Sequence, residues 1–297
     1  MTKKMVFYIV DVFAEKKYAG NQLAVVRDAA GLSDSNMQNI TKEMNYSETT
    51  FILSDEQRDG GYDVRIFTPA REVPFAGHPT LGTAYIIQQE IIKEPVEKTI
   101  LNLKVGQIPV TFNYTGKEKD VLRMKQIEPT FGQIIEPEPI SEMLGINKSD
   151  IDERFPVHEV STGMYFIIVP LKTLDAVKQA KVNKDKYFKL IENTQAKAVL
   201  VFCPETYSPK NDLNVRVFVD YFGIPEDPAT GSGNGCLAGY LVKHRYFGKD
   251  RIDIRTEQGY EIARPSLLYL KAENKDGQIN ISVGGKVVMV ARGELAQ

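Results

Sequence analysis

The chain has 297 residues, a formal net charge of −2, and 37 Lys+Arg against 39 Asp+Glu. This near balance argues against a nucleic-acid-binding face, which needs a clear basic surplus. No stretch approaches the roughly 18 consecutive apolar residues of a membrane helix, and the N-terminal apolar run alternates like a strand rather than a signal peptide. The two cysteines exclude a disulfide framework. We therefore expect a cytoplasmic protein that is not bound to a membrane.

Strands alternate with a few helices along the chain. In the first half, the pattern predicts strands over residues 7–12, 22–26, 49–53 and 62–67, two more within 99–114, and helices over 33–44 and 79–89. In the second half, it predicts strands over residues 157–161, 166–169, 198–202 and 215–219, two more about a glycine within 251–262, and helices over 185–193 and 234–244. The same order of elements recurs, which is typical of an α+β protein with an internal duplication.

The recurrence extends to individual residues. Arg65-Ile-Phe and Arg216-Val-Phe both lie on predicted strands, and each is followed by a Pro-containing stretch that ends at a glycine before a helix, Gly77 or Gly231. These features favour two copies of one unit, over residues 1–127 and 128–297, each of a normal domain size. The last predicted strands, within 279–290, could return to the first copy.

Two similar lobes that face each other would form a cleft, where ligands preferentially bind. Each glycine junction would present the unpaired N–H groups and the positive dipole end of a helix to that cleft. Such an arrangement favours a small carboxylate-bearing ligand.

Four polar residues could carry chemistry: Glu48, between the first predicted helix and the strand that follows it, and His78, Asp227 and Ser232 near the glycine junctions. Taken alone, Glu48 resembles a solvated loop glutamate. His78 precedes Pro79, which suits the first turn of a helix, and its ring could either face the cleft or bond to loop backbone. Asp227, held between two prolines, and Ser232 belong to a glycine-rich stretch whose conformational cost favours a functional role.

Two apparent motifs in this glycine-rich stretch fail on context. Residues 233–238 match G-x-G-x-x-A, but no strand directly precedes them, which argues against a dinucleotide site. Ser232 lacks the flanking glycines of a nucleophile elbow. The three histidines show no zinc-like spacing with the cysteines, so no metal site is predicted.

Several linked motifs resemble the PhzF family of phenazine-biosynthesis-like isomerases, in the family's order over nearly the whole chain. They are Asp11-Val-Phe, Gly20-Asn-Gln-Leu-Ala-Val, Ser47-Glu-Thr-Thr-Phe, Arg65-Ile-Phe-Thr-Pro, Glu72-Val-Pro-Phe-Ala-Gly-His-Pro-Thr-Leu-Gly and Gly223-Ile-Pro-Glu-Asp-Pro-Ala-Thr-Gly-Ser. The resemblance implies the diaminopimelate epimerase-like fold, with two similar lobes that each curl a β-sheet around a central helix. It also implies a homodimer, to which exposed-strand patterns such as that of residues 198–202 would contribute by pairing.

The resemblance further implies a role for each candidate residue. Glu48 falls on the catalytic glutamate that moves a proton between carbons of the substrate, without cofactor or metal. His78, Asp227 and Ser232 fall on polar site positions, with His78 and Asp227 counted among the catalytic residues. Gly77 and Gly231 fall on the junction glycines which, with Ser232, hold the substrate. A carboxylate enclosed in a cleft can act as acid and base in turn, which suits this picture.

Other functions stay open at this point. Racemases of this fold use two cysteines, one at each junction, but the aligned positions here hold Ala76 and Thr230. A two-thiol racemase is therefore disfavoured, whereas an epimerase or racemase of a related acid, or a non-catalytic ligand- or partner-binding protein, remains an alternative. The resemblance leaves the physiological substrate and pathway undefined.

Overall fold

The computed structural model describes residues 5–116 and 120–296. The chain divides into two compact units: residues up to Met124 with those from Gly284 onward, and Lys125–Val283. The polar sequence Gly-Lys-Glu-Lys-Asp at residues 116–120 predicts a turn, of which residues 117–119 lie outside the described residues, as do residues 1–4. None of the helices in the described part of the chain has the length and apolar character to cross a bilayer.

The first unit contains two α-helices and nine strands within its described residues. The helices are α1 Asp34–Met44 and α2 Gly77–Ile86. Eight strands precede the second unit in the sequence: β1 Met5–Val12, β2 Asn21–Val26, β3 Thr49–Ile52, β4 Tyr62–Phe67, β5 Glu72–Val73, β6 Lys98–Leu103, β7 Gly106–Asn113 and β8 Val121–Lys125. The ninth, β18 Val287–Leu295, comes from the C-terminal segment. A π-helical turn, Ile87–Ile92, directly follows α2.

 Outside these strands, Arg58 and Gly61 form an isolated antiparallel bridge.

The strands of the first unit form a continuous ladder. β1 lies antiparallel between β18 and β2; β2 pairs in parallel with β3, and β3 antiparallel with β4. β4 pairs antiparallel with β5 and in parallel with β6, which continues through β7 to β8 in antiparallel pairs. Helix α2 contacts β1, β2, β3, β6, β7 and β18, so the sheet curls around it. Apart from His78, its residues are small or mostly apolar on all sides, which is typical of a helix that is buried at the centre of a domain.

The second unit contains the remaining elements. The helices are α3 Pro137–Leu144, α4 Leu174–Gln179, α5 Lys184–Ile191 and α6 Gly231–Lys243, and the strands are β9 Thr130–Ile135, β10 Val157–Ser161, β11 Tyr165–Pro170, β12 Ala198–Cys203, β13 Leu213–Val219, β14 Ile224–Glu226, β15 Arg251–Gln258, β16 Ser266–Lys275 and β17 Gln278–Gly285.

The strands of the second unit pair in the same order and sense as those of the first. β10 lies antiparallel between β9 and β11; β11 pairs in parallel with β12, and β12 antiparallel with β13. β13 pairs antiparallel with β14 and in parallel with β15, which pairs antiparallel with β16. Helix α6 packs on β10, β11, β15 and β16. The expected fold of two similar lobes, each a sheet around a central helix, is confirmed.

The Arg-x-Phe sequences mark equivalent points of the two units. Arg65 makes two hydrogen bonds of 2.8 Å to Glu72 of the adjacent β5, and Arg216 makes bonds of 3.1 and 2.7 Å to Glu226 of the adjacent β14. Each guanidinium also lies over the phenylalanine two residues later in its strand. The repeat therefore preserves a bidentate ion pair and a cation–π contact as well as the strand order.

Three local predictions are wrong. Helix α6 begins at Gly231 rather than at residue 234, because the glycine-rich stretch is already helical. The second strand after Gly259 begins at Ser266, since a turn occupies residues 259–265. Ala198–Cys203 is not an exposed edge: β12 is buried along its whole length and pairs on both sides. Its apolar run is that of a central strand, so it gives no reason to expect a homodimer.

Candidate active site

Glu48 stands immediately before β3. Helix α1 ends at Met44, and Asn45 follows in the left-handed conformation with φ of 53°, which turns the chain towards the strand. The Glu48 side chain is 18% exposed, well below the exposure of a solvated loop glutamate. Taken with its neighbour His78, this burial favours a specific role over the solvated alternative.

His78 is the second residue of α2, and its Nε2 atom lies 3.3 Å from Oε2 of Glu48. Burial lowers the pKa of His78 to about 3, while a hydrogen bond to the backbone of Gln22 acts in the opposite direction. The imidazole is therefore neutral at pH 7, so Glu48 faces a polar group rather than a fixed positive charge. The hydrogen bond to the backbone agrees with the second alternative for His78, whereas the orientation of its ring towards a cleft stays a prediction.

The starts of the two central helices share one feature, the lack of a side-chain cap. Within the described residues, neither Ala76 before α2 nor Thr230 before α6 caps its helix through a side-chain hydrogen bond. A helix start normally has four backbone N–H groups without an intrahelical partner, and a capping side chain usually accepts one of them. Gly77 and Gly231 are the first residues of these helices, so they lie where N–H groups can receive an anion.

Asp227 follows the short strand β14, and its backbone N–H donates to the carbonyl of Val217 at 3.0 Å. Its carboxylate accepts a short hydrogen bond from the hydroxyl of Thr230. Threonine is a common N-cap residue, but this hydroxyl is directed to Asp227 instead of to the helix N–H groups. The contact explains why α6 lacks a side-chain cap.

Ser232 is the second residue of α6, the position that His78 occupies in α2. Its backbone carbonyl lies 3.5 Å from the hydroxyl of Thr162. The side chain is half-buried on the first turn of the helix. Glu48, His78 and Gly77 belong to the first unit, and Asp227, Gly231 and Ser232 to the second. The convergence of Glu48, His78, Asp227 and Ser232 on one cavity stays a prediction.

A buried amide network behind Asp227 was missed by sequence reasoning. Gln258 and Asn234 are fully buried and bonded to each other, with 2.9 Å between Asn234 Nδ2 and Gln258 Oε1. Thr256 donates to Oδ1 of Asn234 at 2.7 Å. Polar residues in the sequence at 256–258, at the end of an alternating strand, were the available signal, because a polar side chain inside a core needs partners nearby.

Neither cysteine occupies a helix junction. Cys236 lies within α6 and Cys203 at the end of β12, and both are free and fully buried. Burial raises the pKa of each thiol to about 12. Thiols in this state are poor acids and poor nucleophiles at neutral pH, so neither cysteine is suited to the role of a racemase thiol.

Comparison with known proteins agrees with the fold and the motifs. The family model for phenazine biosynthesis-like proteins, PhzC-PhzF, matches residues 10–293. An uncharacterized isomerase of Clostridium acetobutylicum is 32% identical, with 99% of each chain covered. A trans-2,3-dihydro-3-hydroxyanthranilate isomerase of Pseudomonas aeruginosa is 32% identical over 97% of this chain and 98% of its own.

The fold also matches that of a relative with a solved structure. The crystal structure of a Bacillus anthracis phenazine biosynthesis protein of the PhzF family superposes with a TM-score of 0.90 at 27% identity, covering 100% of both chains. The fold is thus diaminopimelate epimerase-like, as the two matching units already indicate. With the family model spanning most of the sequence and relatives that are isomerases, the chain belongs to the PhzF family of phenazine-biosynthesis-like proteins and is an isomerase.

Proposed function

We propose that this isomerase works without a cofactor or metal and moves a proton between carbon atoms of a small carboxylate-bearing substrate. The observation that carries the proposal is the pair formed by Glu48 and neutral His78 at the start of α2, with 3.3 Å between Oε2 and Nε2. A carboxylate can take a proton from one carbon and return it to another, while a neutral imidazole can donate a hydrogen bond without neutralising that carboxylate.

The proposal assigns the remaining residues by their position. The N–H groups at Gly77 and Gly231 would bind the substrate carboxylate, because uncapped helix starts attract anions. Ser232 would add a hydroxyl hydrogen bond to the substrate. Asp227 would serve as a second acid–base group, either alongside Glu48 or for a separate proton. This assignment requires the two junctions to face one substrate.

The test is solvent-deuterium incorporation into trans-2,3-dihydro-3-hydroxyanthranilate, chosen because it is the substrate named for the Pseudomonas aeruginosa relative. Wild-type protein and Glu48→Gln would be incubated with it in D₂O and the products analysed by mass spectrometry. We expect Glu48→Gln to lower the rate by about 10²–10⁴-fold, the usual contribution of general acid–base catalysis. Binding and thermal unfolding should change little, because the amide keeps the size of the side chain.

Glu43→Gln is the matched control, since Glu43 is exposed on α1 in the same unit. Equal exchange by wild type and Glu48→Gln would move the role of base to another residue, with Asp227 the next candidate. Exchange that inverts a stereocentre without moving a double bond would favour an epimerase or racemase. Tight binding with no exchange by any variant would favour a non-catalytic ligand- or partner-binding protein.

We further propose a homodimer in the cytoplasm. The family resemblance supports the dimer, and two unpaired cysteines suit a reducing compartment. Light scattering at micromolar concentration tests the first part, and a monomeric mass would contradict it. Fractionation of cells that express the protein tests the second, and recovery outside the cytoplasmic fraction would contradict it.

A further inference from the structure

The hydrogen bonds beside Asp227 fix the orientation of the Thr230 hydroxyl. The hydroxyl of Thr230 accepts a 3.0 Å hydrogen bond from Nε2 of Gln258 and donates to Oδ2 of Asp227. A hydroxyl has one proton to donate. With Gln258 as its donor, Thr230 directs that proton to the carboxylate.

Gln258 is itself held in one orientation. Its Oε1 accepts from the backbone N–H of Thr230 at 3.1 Å and from Nδ2 of Asn234 at 2.9 Å. Its Nε2 donates to the backbone carbonyl of Asp227 at 2.8 Å as well as to the Thr230 hydroxyl. All four hydrogen-bonding positions of the carboxamide are therefore used. Reversing the amide would place donor against donor at the Thr230 N–H and oxygen against oxygen at the Asp227 carbonyl, and it would draw the Thr230 hydroxyl proton away from Asp227.

From this chain of contacts we propose that Thr230, oriented by Gln258, is a positioning residue that fixes the carboxylate of Asp227 and favours its ionised form. The inference rests on the proposed function, because it gives Asp227 a catalytic task. It goes further by assigning a role to two residues that are not expected to touch the substrate. A fixed acceptor loses less freedom on reaching the geometry of proton transfer.

Charged groups on the neighbouring elements have other partners. Glu226 of β14 binds Arg216, and Glu257 of β15 accepts hydrogen bonds from Asn211 and from the backbone of residues 207 and 208. Glu261, after β15, accepts from the hydroxyl of Tyr207 and lies 3.9 Å from Arg216. The Thr230 hydroxyl is a direct neutral donor to Asp227, and a substitution at Thr230 removes this donor without changing any charged side chain.

The experiment is an NMR titration of the Asp227 carboxyl carbon in wild type, Thr230→Val and Thr230→Ser, with the signal assigned through Asp227→Asn. Valine has the shape of threonine but no hydroxyl, whereas serine retains the donor. We expect the pKa of Asp227 to rise by about one pH unit in Thr230→Val, because a hydrogen bond to an ionised group favours that form. Thr230→Ser should restore the wild-type value. Thr230→Ala is the substitute if Thr230→Val does not fold.

An unchanged pKa in Thr230→Val, or an equal rise in Thr230→Ser, would overturn the inference. Exchange kinetics supply a second readout: Thr230→Val should lower kcat about tenfold and change KM less than threefold, with Thr230→Ser close to wild type. Full activity of Asp227→Asn would instead refute the catalytic task given to Asp227 in the proposed function. The titration needs no turnover, so the two failures are distinguishable.

Discussion

The two units have the same strand order but use their equivalent arginines differently. The Arg65 side chain is 21% exposed and also contacts Asp34, while its partner Glu72 has a second cation in Lys104. The Arg216 side chain is 10% exposed, and it also donates to the carbonyls of Val177 and Ala180 at the end of α4. One ion pair sits in a surface network, and the other anchors a helix to the sheet.

The helix junctions differ in a complementary way. The start of α2 places a polar side chain, His78, near a carboxylate outside its own helix, whereas the start of α6 is tied into the core through Asn234 and Gln258. The two units therefore share their strand order and the position of the central helix, whereas the polar side chains at the helix starts differ. A buried network keeps its geometry only when every group is satisfied.

The largest expected difference between the units concerns the arginines. We expect Arg216→Met to lower the free energy of unfolding by about 3–5 kcal/mol, because it leaves Glu226 buried without its cation. Arg65→Met should cost about 1 kcal/mol, since Glu72 keeps Lys104 and lies nearer to water. Urea denaturation of both variants measures the difference. Equal losses would show that the two ion pairs are energetically equivalent despite their burial.

A smaller effect is expected within the central helices. Gly82 and Cys236 occupy the same position, six residues after the N-caps Ala76 and Thr230. A Cβ atom at Gly82 would lie 2.6 Å from Cδ2 of Leu23 and 2.9 Å from Cγ2 of Val12. We expect Gly82→Ala to destabilise the protein by about 1–3 kcal/mol through overpacking, although alanine is the better helix former.

The matched change in the second unit is Cys236→Ala, which keeps the Cβ atom and removes only the buried sulfur. It should cost about 1 kcal/mol, roughly the value of one buried methylene-sized group. Thermal unfolding of the two variants tests whether α2 lies closer to its sheet than α6 does. A stabilised Gly82→Ala variant would show that the neighbouring side chains can move aside.

The smallest effect concerns acid stability. Burial lowers the pKa of His78 to about 3 in the first unit, and in the second it lowers the pKa of His244 to about 4 and also that of His158. The unfolded chain, with a histidine pKa near 6.5, binds these protons first as the pH falls. Stability should therefore be complete above about pH 6.5 and decline below it.

Removing one histidine should flatten this decline. In the second unit, Nδ1 of His158 lies 3.0 Å from Nε2 of His244. One of these nitrogens donates its proton to the other, so a second proton placed between the rings would have no acceptor. We expect His244→Gln to reduce the loss of unfolding free energy between pH 6.5 and 4 by about 1 kcal/mol, and His78→Asn to reduce it down to about pH 3. Denaturant titrations at several pH values measure both slopes. Slopes equal to wild type would place the acid sensitivity in carboxylates instead.

Local patterns sufficed for much of the fold. Residues 62–67 alternate and form β4 as predicted, and Ser33 caps α1 by accepting from the backbone of Asn36. Strand β9 and helix α3 were missed, because Pro137 and the mixed composition around it conceal a short helix that starts at that proline. Pairing partners depend on distant residues, which is why β12 was misplaced at an edge.

The candidate site was predictable where a residue type carries its own chemistry. Sequence reasoning could name four candidates because each belongs to a recognisable motif: Glu48, His78, Asp227 and Ser232. Thr230 and Gln258 could not be named in this way, since their significance lies in which atom donates to which, and that requires coordinates. Sequence could suggest that a glycine-rich loop was functional, but it could not show what holds the loop in place.

The state of the two thiols has a consequence for the environment in which the enzyme can work. Both sulfurs are fully buried and protonated at neutral pH, so peroxide, electrophilic metabolites and alkylating reagents meet no thiolate in the folded protein. The carboxylate that we propose as the acid–base group is not a target of thiol oxidation. Catalysis of this kind would persist during oxidative stress, when enzymes with an exposed catalytic cysteine lose activity.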